Sequence, residues 1–110
     1  MERFKAILNE ADLDGVLRRG VAVLFKHSTT CPISTRAKEQ VGEFMRQHPG
    51  VPVYLVDVLA QKPLSQQIAA DLGIRHESPQ AILLQRGKPL WHASHHEVTA
   101  AAISKRLPSP

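Results

Sequence analysis

Two short apolar runs, Val21 to Lys26 and Val53 to Val58, flank a stretch that begins at Pro32 and repeats apolar side chains every three or four residues. That succession constrains the fold more than any other feature of the chain. A run without polar alternation reads as a strand buried on both faces, and two such strands separated by a helix form a parallel crossover unit. The helix then covers one face of the sheet. Its buried side is expected to carry Ala37, Val41, Phe44, Met45 and His48, and Pro49 with Gly50 ends it.

The flanking segments extend the pattern. Leu13, Val16 and Leu17 recur at helical spacing after Asn9, a capping residue, and Gly20 closes that helix. Leu64, Ile68 and Leu72 form a second stripe, with Pro63 in its first turn and Gly73 at its stop. Gln80 to Gln85 and Lys88 to His92 flank Arg86-Gly87, which predicts an antiparallel hairpin, and a last helix covers roughly Thr99 to Leu107. The resulting α/β order fits a thioredoxin-like fold, a central mixed four-stranded sheet with helices on both faces; periodicity alone leaves competing α/β arrangements open, and the site decides between them. At 110 residues, without a repeat or linker, residues 1–110 form a single domain, and the Pro-Ser-Pro end is expected to fray from about residue 107.

Composition narrows the function. Hydrophobic residues make up 43% and charged residues 22%, which suits a folded globular chain and excludes a disordered or fibrous one. The longest apolar run, Val21 to Phe25, falls far short of the roughly 20 residues that cross a bilayer. Residues 1–17 contain Glu2, Glu10, Asp12 and Asp14 and lack the apolar core of a secretory signal, so a cytoplasmic location is expected. A net charge of +4 leans towards anionic partners. With Cys31 as the sole cysteine, neither an internal disulfide nor an all-cysteine metal site can form, and thiol chemistry needs a second molecule.

Cys31 stands between a strand end and Pro32, a residue suited to the first position of a helix, so its sulfur is expected at a helix N-terminus. Helix N-termini favour thiolate over thiol, and Lys26, His27 and Arg36 lie near in sequence. Polar neighbours Ser28, Thr29, Thr30 and Ser34 argue against an inert cysteine buried among apolar groups. A dithiol oxidoreductase carries its resolving cysteine three positions on, where this chain has Ser34. A serine cannot resolve a disulfide, so a mixed disulfide on Cys31 persists until another thiol removes it. The Ser34 hydroxyl is expected to hydrogen-bond within the first helical turn. Ser78 and Pro79 open the third strand, where a missing ladder donor is tolerated.

The segment His27-Ser28-Thr29-Thr30-Cys31-Pro32-Ile33-Ser34, after the Phe25-Lys26 strand end, resembles the YtxJ-like family of the bacillithiol system, the monothiol bacilliredoxins. The likeness extends through Ser78-Pro79, the Arg86-Gly87-Lys88 hairpin and the His92 to Thr99 approach to the last helix. It implies a thioredoxin-like fold and removal of bacillithiol from protein mixed disulfides. By that resemblance Cys31 is the nucleophile, set in the motif of Thr30, Pro32, Ile33 and Ser34, and Pro79 is a cis proline facing it. Ser78 and Pro79, with Lys26, His27 and Arg36, are then expected to meet the substrate, the positive charges attracting the malate carboxylates of bacillithiol. Bacillithiol acts as co-substrate, S-bacillithiolated proteins are the clients, and no bound cofactor is expected. The rival class is a binding protein in which Cys31 from two chains, with external thiols, holds an iron–sulfur cluster.

Other features rank lower. His92, His95 and His96 cluster, but the segment lacks a second acidic or thiol cluster with ligand spacing, so no metal site is expected. Lys26, Arg36, Lys38, Arg75 and His76 lack interleaved aromatic platforms, so they read as solvated charge with no nucleic-acid role.

Overall fold

A computed structural model describes residues 4–109. In chain order the elements are β1 (Lys5–Ala6), α1 (Glu10–Leu17), β2 (Val21–His27), α2 (Pro32–Gln47), β3 (Val53–Asp57), α3 (Lys62–Leu72), β4 (Gln80–Gln85), β5 (Lys88–Ser94), a 3₁₀ turn (His95–Glu97) and α4 (Ala100–Lys105). The sheet has five strands in the order β1-β3-β2-β4-β5, one more than the sequence pattern predicts. The added strand is two exposed residues, too short to carry a period-two signal. It pairs parallel with β3 and delivers Ile7, 1% exposed, to the core.

β2 is central, parallel to β3 on one side and antiparallel to β4 on the other. Both its faces are covered, and its alternation divides the core in two. Ala22 and Leu24 join Leu13, Val16, Val56, Leu64 and Ile68 beneath α1 and α3. Val23 and Phe25 join Ala37, Val41, Phe44, Val98 and Ile103 beneath α2 and α4. The expected α2 stripe is buried at Ala37, Val41 and Phe44, while Met45 and His48 lie at its half-buried margin.

Local signals fix most element ends. The Asn9 side chain accepts the Asp12 N–H at 2.9 Å, and Asp12 Oδ2 accepts the Leu8 N–H at 2.9 Å, so α1 starts where expected. It stops at Leu17, three residues before Gly20, with Arg18 as its cap. Gly73, at φ 67°, ends α3 in a left-handed cap. At the hairpin Arg86 and Gly87 take φ 52° and 79°, the positive values that a tight two-residue turn requires. The Arg86 N–H bonds to the Arg19 and Gly20 carbonyls at 2.9 and 2.8 Å, tying the tip to the end of α1. Leu107, placed in the fraying tail by the sequence, packs against the second core, and Pro110 lies outside the described residues.

Candidate active site

The period of two that builds the core also sorts the last residues of β2. Lys26 continues the face occupied by Ala22 and Leu24, and His27 continues the face occupied by Val23 and Phe25. The two basic residues expected together beside Cys31 therefore lie on opposite sides of the sheet.

Lys26 is fully buried. Its Nζ donates to the Ser65 carbonyl at 3.0 Å and meets His76 Nδ1 at 3.0 Å. An ammonium has no acceptor, so His76 presents Nδ1 as the lone-pair nitrogen. Burial pushes the Lys26 pKa down to about 8, and burial with the Lys26 charge lowers that of His76. An amine so enclosed offers nothing to a substrate at the surface, which corrects the substrate-binding role expected for Lys26.

His27 is 6% exposed and stacks on Phe25, with ring centroids 5.7 Å apart. Its Nδ1 lies 2.8 Å from Ser34 Oγ, and the same oxygen accepts the Ser28 N–H at 2.8 Å. Desolvation, then repulsion from Lys38, lowers the His27 pKa; Asp57 and the Ser34 contact oppose this. The imidazole is thereby held neutral. The buried Ser34 hydroxyl thus reaches back to the strand end instead of bonding within its own helical turn as expected. It closes the 27–34 loop from below.

On top of that loop, Cys31 is the N-cap of α2, with extended backbone at φ −109° and ψ 119° and Pro32 following. Its carbonyl accepts the Thr35 N–H at 3.1 Å and the Thr35 hydroxyl at 3.3 Å, while its thiol makes no capping hydrogen bond. The residue is half-buried, between exposed Thr30 and Pro32. Cys31 is a free cysteine that the core does not enclose.

The Ser78–Pro79 peptide is cis, as the family resemblance implied. Gln80 pairs with Lys26, so the register carries Pro79 to the end of β2 beside His27, at the mouth of the Cys31 loop. The Pro79 carbonyl accepts the His95 N–H at 2.9 Å. Arg36 is exposed one turn into α2 and pairs with no carboxylate among the described residues.

Sequence reasoning gave no part in the site to three neighbours. Leu59, 57% exposed, follows β3 at the same end of the sheet, and only its exposure marks it out. His95 and His96 sit on the turn after β5 and share a pocket with Ile33, Arg36 and Gln40 of α2. No local pattern links residues 60 positions apart. Among the described residues no three His, Cys, Asp or Glu side chains gather closely enough to hold a metal ion.

One half-exposed cysteine at a helix start, a buried serine in place of its resolving partner and a cis proline at the adjacent strand define a thioredoxin-fold redox protein working with a single thiol. The chain matches the family model described as monothiol bacilliredoxin BrxC over residues 5–103, and it belongs to that family. Among solved structures it is similar to a protein proposed to be an oxidoreductase with a thioredoxin fold, at 26% identity and a TM-score of 0.88, covering 93% of this chain and 91% of that one. Mitochondrial thioredoxin 3 from Saccharomyces cerevisiae superposes at a TM-score of 0.76 and 13% identity, covering 93% and 91% of the two chains. Malassezia sympodialis thioredoxin does so at 0.74 and 20%, covering 96% and 92%. The last two likenesses concern the fold alone.

Proposed function

We propose that this protein removes bacillithiol from mixed disulfides on client proteins, with Cys31 as its one catalytic residue. The carrying observation is the division of labour at the start of α2. The Cys31 thiol is free on a half-buried residue, whereas Ser34, three positions on, is buried with its hydroxyl engaged by Ser28 and His27. Membership of the monothiol bacilliredoxin family supplies the thiol.

In the first step the Cys31 thiolate attacks the bacillithiol sulfur of the client disulfide. The new Cys31–bacillithiol S–S bond forms as the client S–S bond breaks, and the electron pair leaves on the client sulfur, which takes a proton. In the second step a bacillithiol thiolate attacks the Cys31-bound bacillithiol, giving oxidised bacillithiol disulfide and a free Cys31. The net exchange turns one client mixed disulfide and one bacillithiol thiol into one client thiol and one bacillithiol disulfide, so disulfide bonds and protons both balance. The protein itself ends unchanged, needs no bound metal or organic cofactor, and works in the reducing cytoplasm.

The test presents an S-bacillithiolated client to wild type and to Cys31→Ser, following client thiol release and the intact mass of this protein. Wild type gains one bacillithiol and releases the client; Cys31→Ser does neither. Release by Cys31→Ser at the wild-type rate refutes the reading. So does a wild-type protein that never gains the adduct and instead comes out of anaerobic purification with the visible absorbance of an iron–sulfur cluster.

A further inference from the structure

One face of α2, beginning at Ile33 two residues beyond Cys31, presents Ile33, Arg36, Ala37 and Gln40 at helical spacing. Against it lies the turn that joins β5 to α4, and between the two is a pocket of about 120 Å³ completed by His95, His96, Val98 and Thr99. The same measure for a single water is about 10–15 Å³, so the pocket admits a group of several heavy atoms. None of its eight lining residues is acidic. Hydrogen-bond donors dominate instead: the Arg36 guanidinium, the two imidazoles and the Gln40 amide. Gln40 Oε1 accepts the Ala100 N–H at 3.0 Å, which pins the start of α4 and leaves the Gln40 Nε2 as the group to face a ligand.

The turn is built at some conformational cost. His95 holds φ 56°, a left-handed value rare outside glycine, and its N–H is spent on the Pro79 carbonyl. This bond couples the pocket wall to the strand that borders the Cys31 loop. Along α2, Arg36 is five residues beyond Cys31, an axial rise of about 7 Å. Arg36 is also turned about 140° around the axis from Cys31, so a group disulfide-bonded to Cys31 meets this pocket by crossing the start of α2 past Ile33, which lines it two residues beyond the cysteine.

We propose that this pocket is the subsite for the carboxylate end of the low-molecular-weight thiol carried on Cys31, with Arg36 and His96 as its specificity-determining residues. The inference rests on the proposed reaction and names where its thiol is held. Arginine matches a carboxylate with two parallel N–H donors, and imidazole and amide donors complete the set. An uncharged thiol finds no such partner and gains nothing from the pocket.

The experiment uses one fluorescent peptide with a single cysteine, capped as a mixed disulfide with mercaptosuccinate, with 2-mercaptoethanol or with bacillithiol. Peptide release by the full protein is normalised to release by dithiothreitol. Wild type is expected to favour the dicarboxylate cap over the uncharged cap about ten-fold, the effect of one charged hydrogen bond. Arg36→Gln and His96→Asn bring the ratio close to one, while Lys88→Gln, which removes an equal charge on the distant hairpin, leaves it intact. A wild-type ratio of one, an unchanged ratio in both pocket variants, or an equal loss in Lys88→Gln overturns the subsite. The bacillithiol cap separates the two claims. Rapid release from it that ignores both pocket substitutions sinks the subsite and keeps the reaction, whereas a dicarboxylate preference without any release from bacillithiol keeps the subsite and sinks the reaction.

Discussion

Lys26 makes the stability of this domain depend on alkaline pH in a way that can be isolated. Its amine is fully buried, held by the Ser65 carbonyl and His76 Nδ1, and its pKa falls from the ordinary 10.5 to about 8. In the unfolded chain the group regains the ordinary value, so between pH 8 and 10.5 the unfolded state binds the extra proton. Stability must then rise with pH across that window, and below it the protonated amine imposes its full penalty. Each pH unit of difference is worth about 1.4 kcal/mol, so the whole interval corresponds to at most about 3.4 kcal/mol. Lys26→Met keeps the volume of the side chain and removes the titration. Urea unfolding of both proteins from pH 7 to pH 10 is the assay. His76 loses the influence of the Lys26 charge in the variant but titrates below this window, and the other titrating groups are common to the two proteins and cancel in the difference. Wild type should gain stability relative to Lys26→Met as pH rises, and at pH 7 the methionine variant should be at least as stable, as is usual when a buried charge gives way to an apolar isostere. Parallel pH profiles, or a wild type that loses ground above pH 8, would refute the account of Lys26 as a buried amine without a carboxylate partner among the described residues.

Contacts elsewhere in the fold set two further outcomes. Ser34→Ala leaves the buried Ser28 N–H without its acceptor, so urea denaturation should show a loss of about 1–3 kcal/mol, while the intact mass of the treated variant still shows the thiol adduct on Cys31. In Gly87→Ala the new Cβ meets the Leu17 carbonyl oxygen at 2.8 Å on a backbone with φ +79°, and a thermal melt should place the variant below wild type by at least about 1–2 kcal/mol.

Much of this molecule is legible in short stretches of sequence because the governing interactions are local. Hydrophobic periodicity sets β2, α2, β3 and α3, the Asn9 side chain starts α1, and the Arg86-Gly87 pair turns the hairpin; each depends on residues within a few positions of one another. Cys31 at a helix start is readable for the same reason, since the fixed φ and missing N–H of Pro32 suit the first turn of a helix and no later one. Three things are settled only in the folded chain. β1 exists because β3 offers it an unpaired edge, and two residues carry no period of their own. Lys26 and His27, adjacent in sequence, part to opposite faces of the sheet, where α3 engages one and Ser34 the other; side-chain alternation separates them, and what each meets depends on long-range packing. The pocket between α2 and the turn after β5 joins Arg36 and Gln40 to His95 and His96 across some 60 residues of chain, brought together by α4 docking on α2 and the β5 turn folding back to Pro79. Proximity between distant segments comes from burying both helix faces on one sheet, and no local residue pattern encodes it.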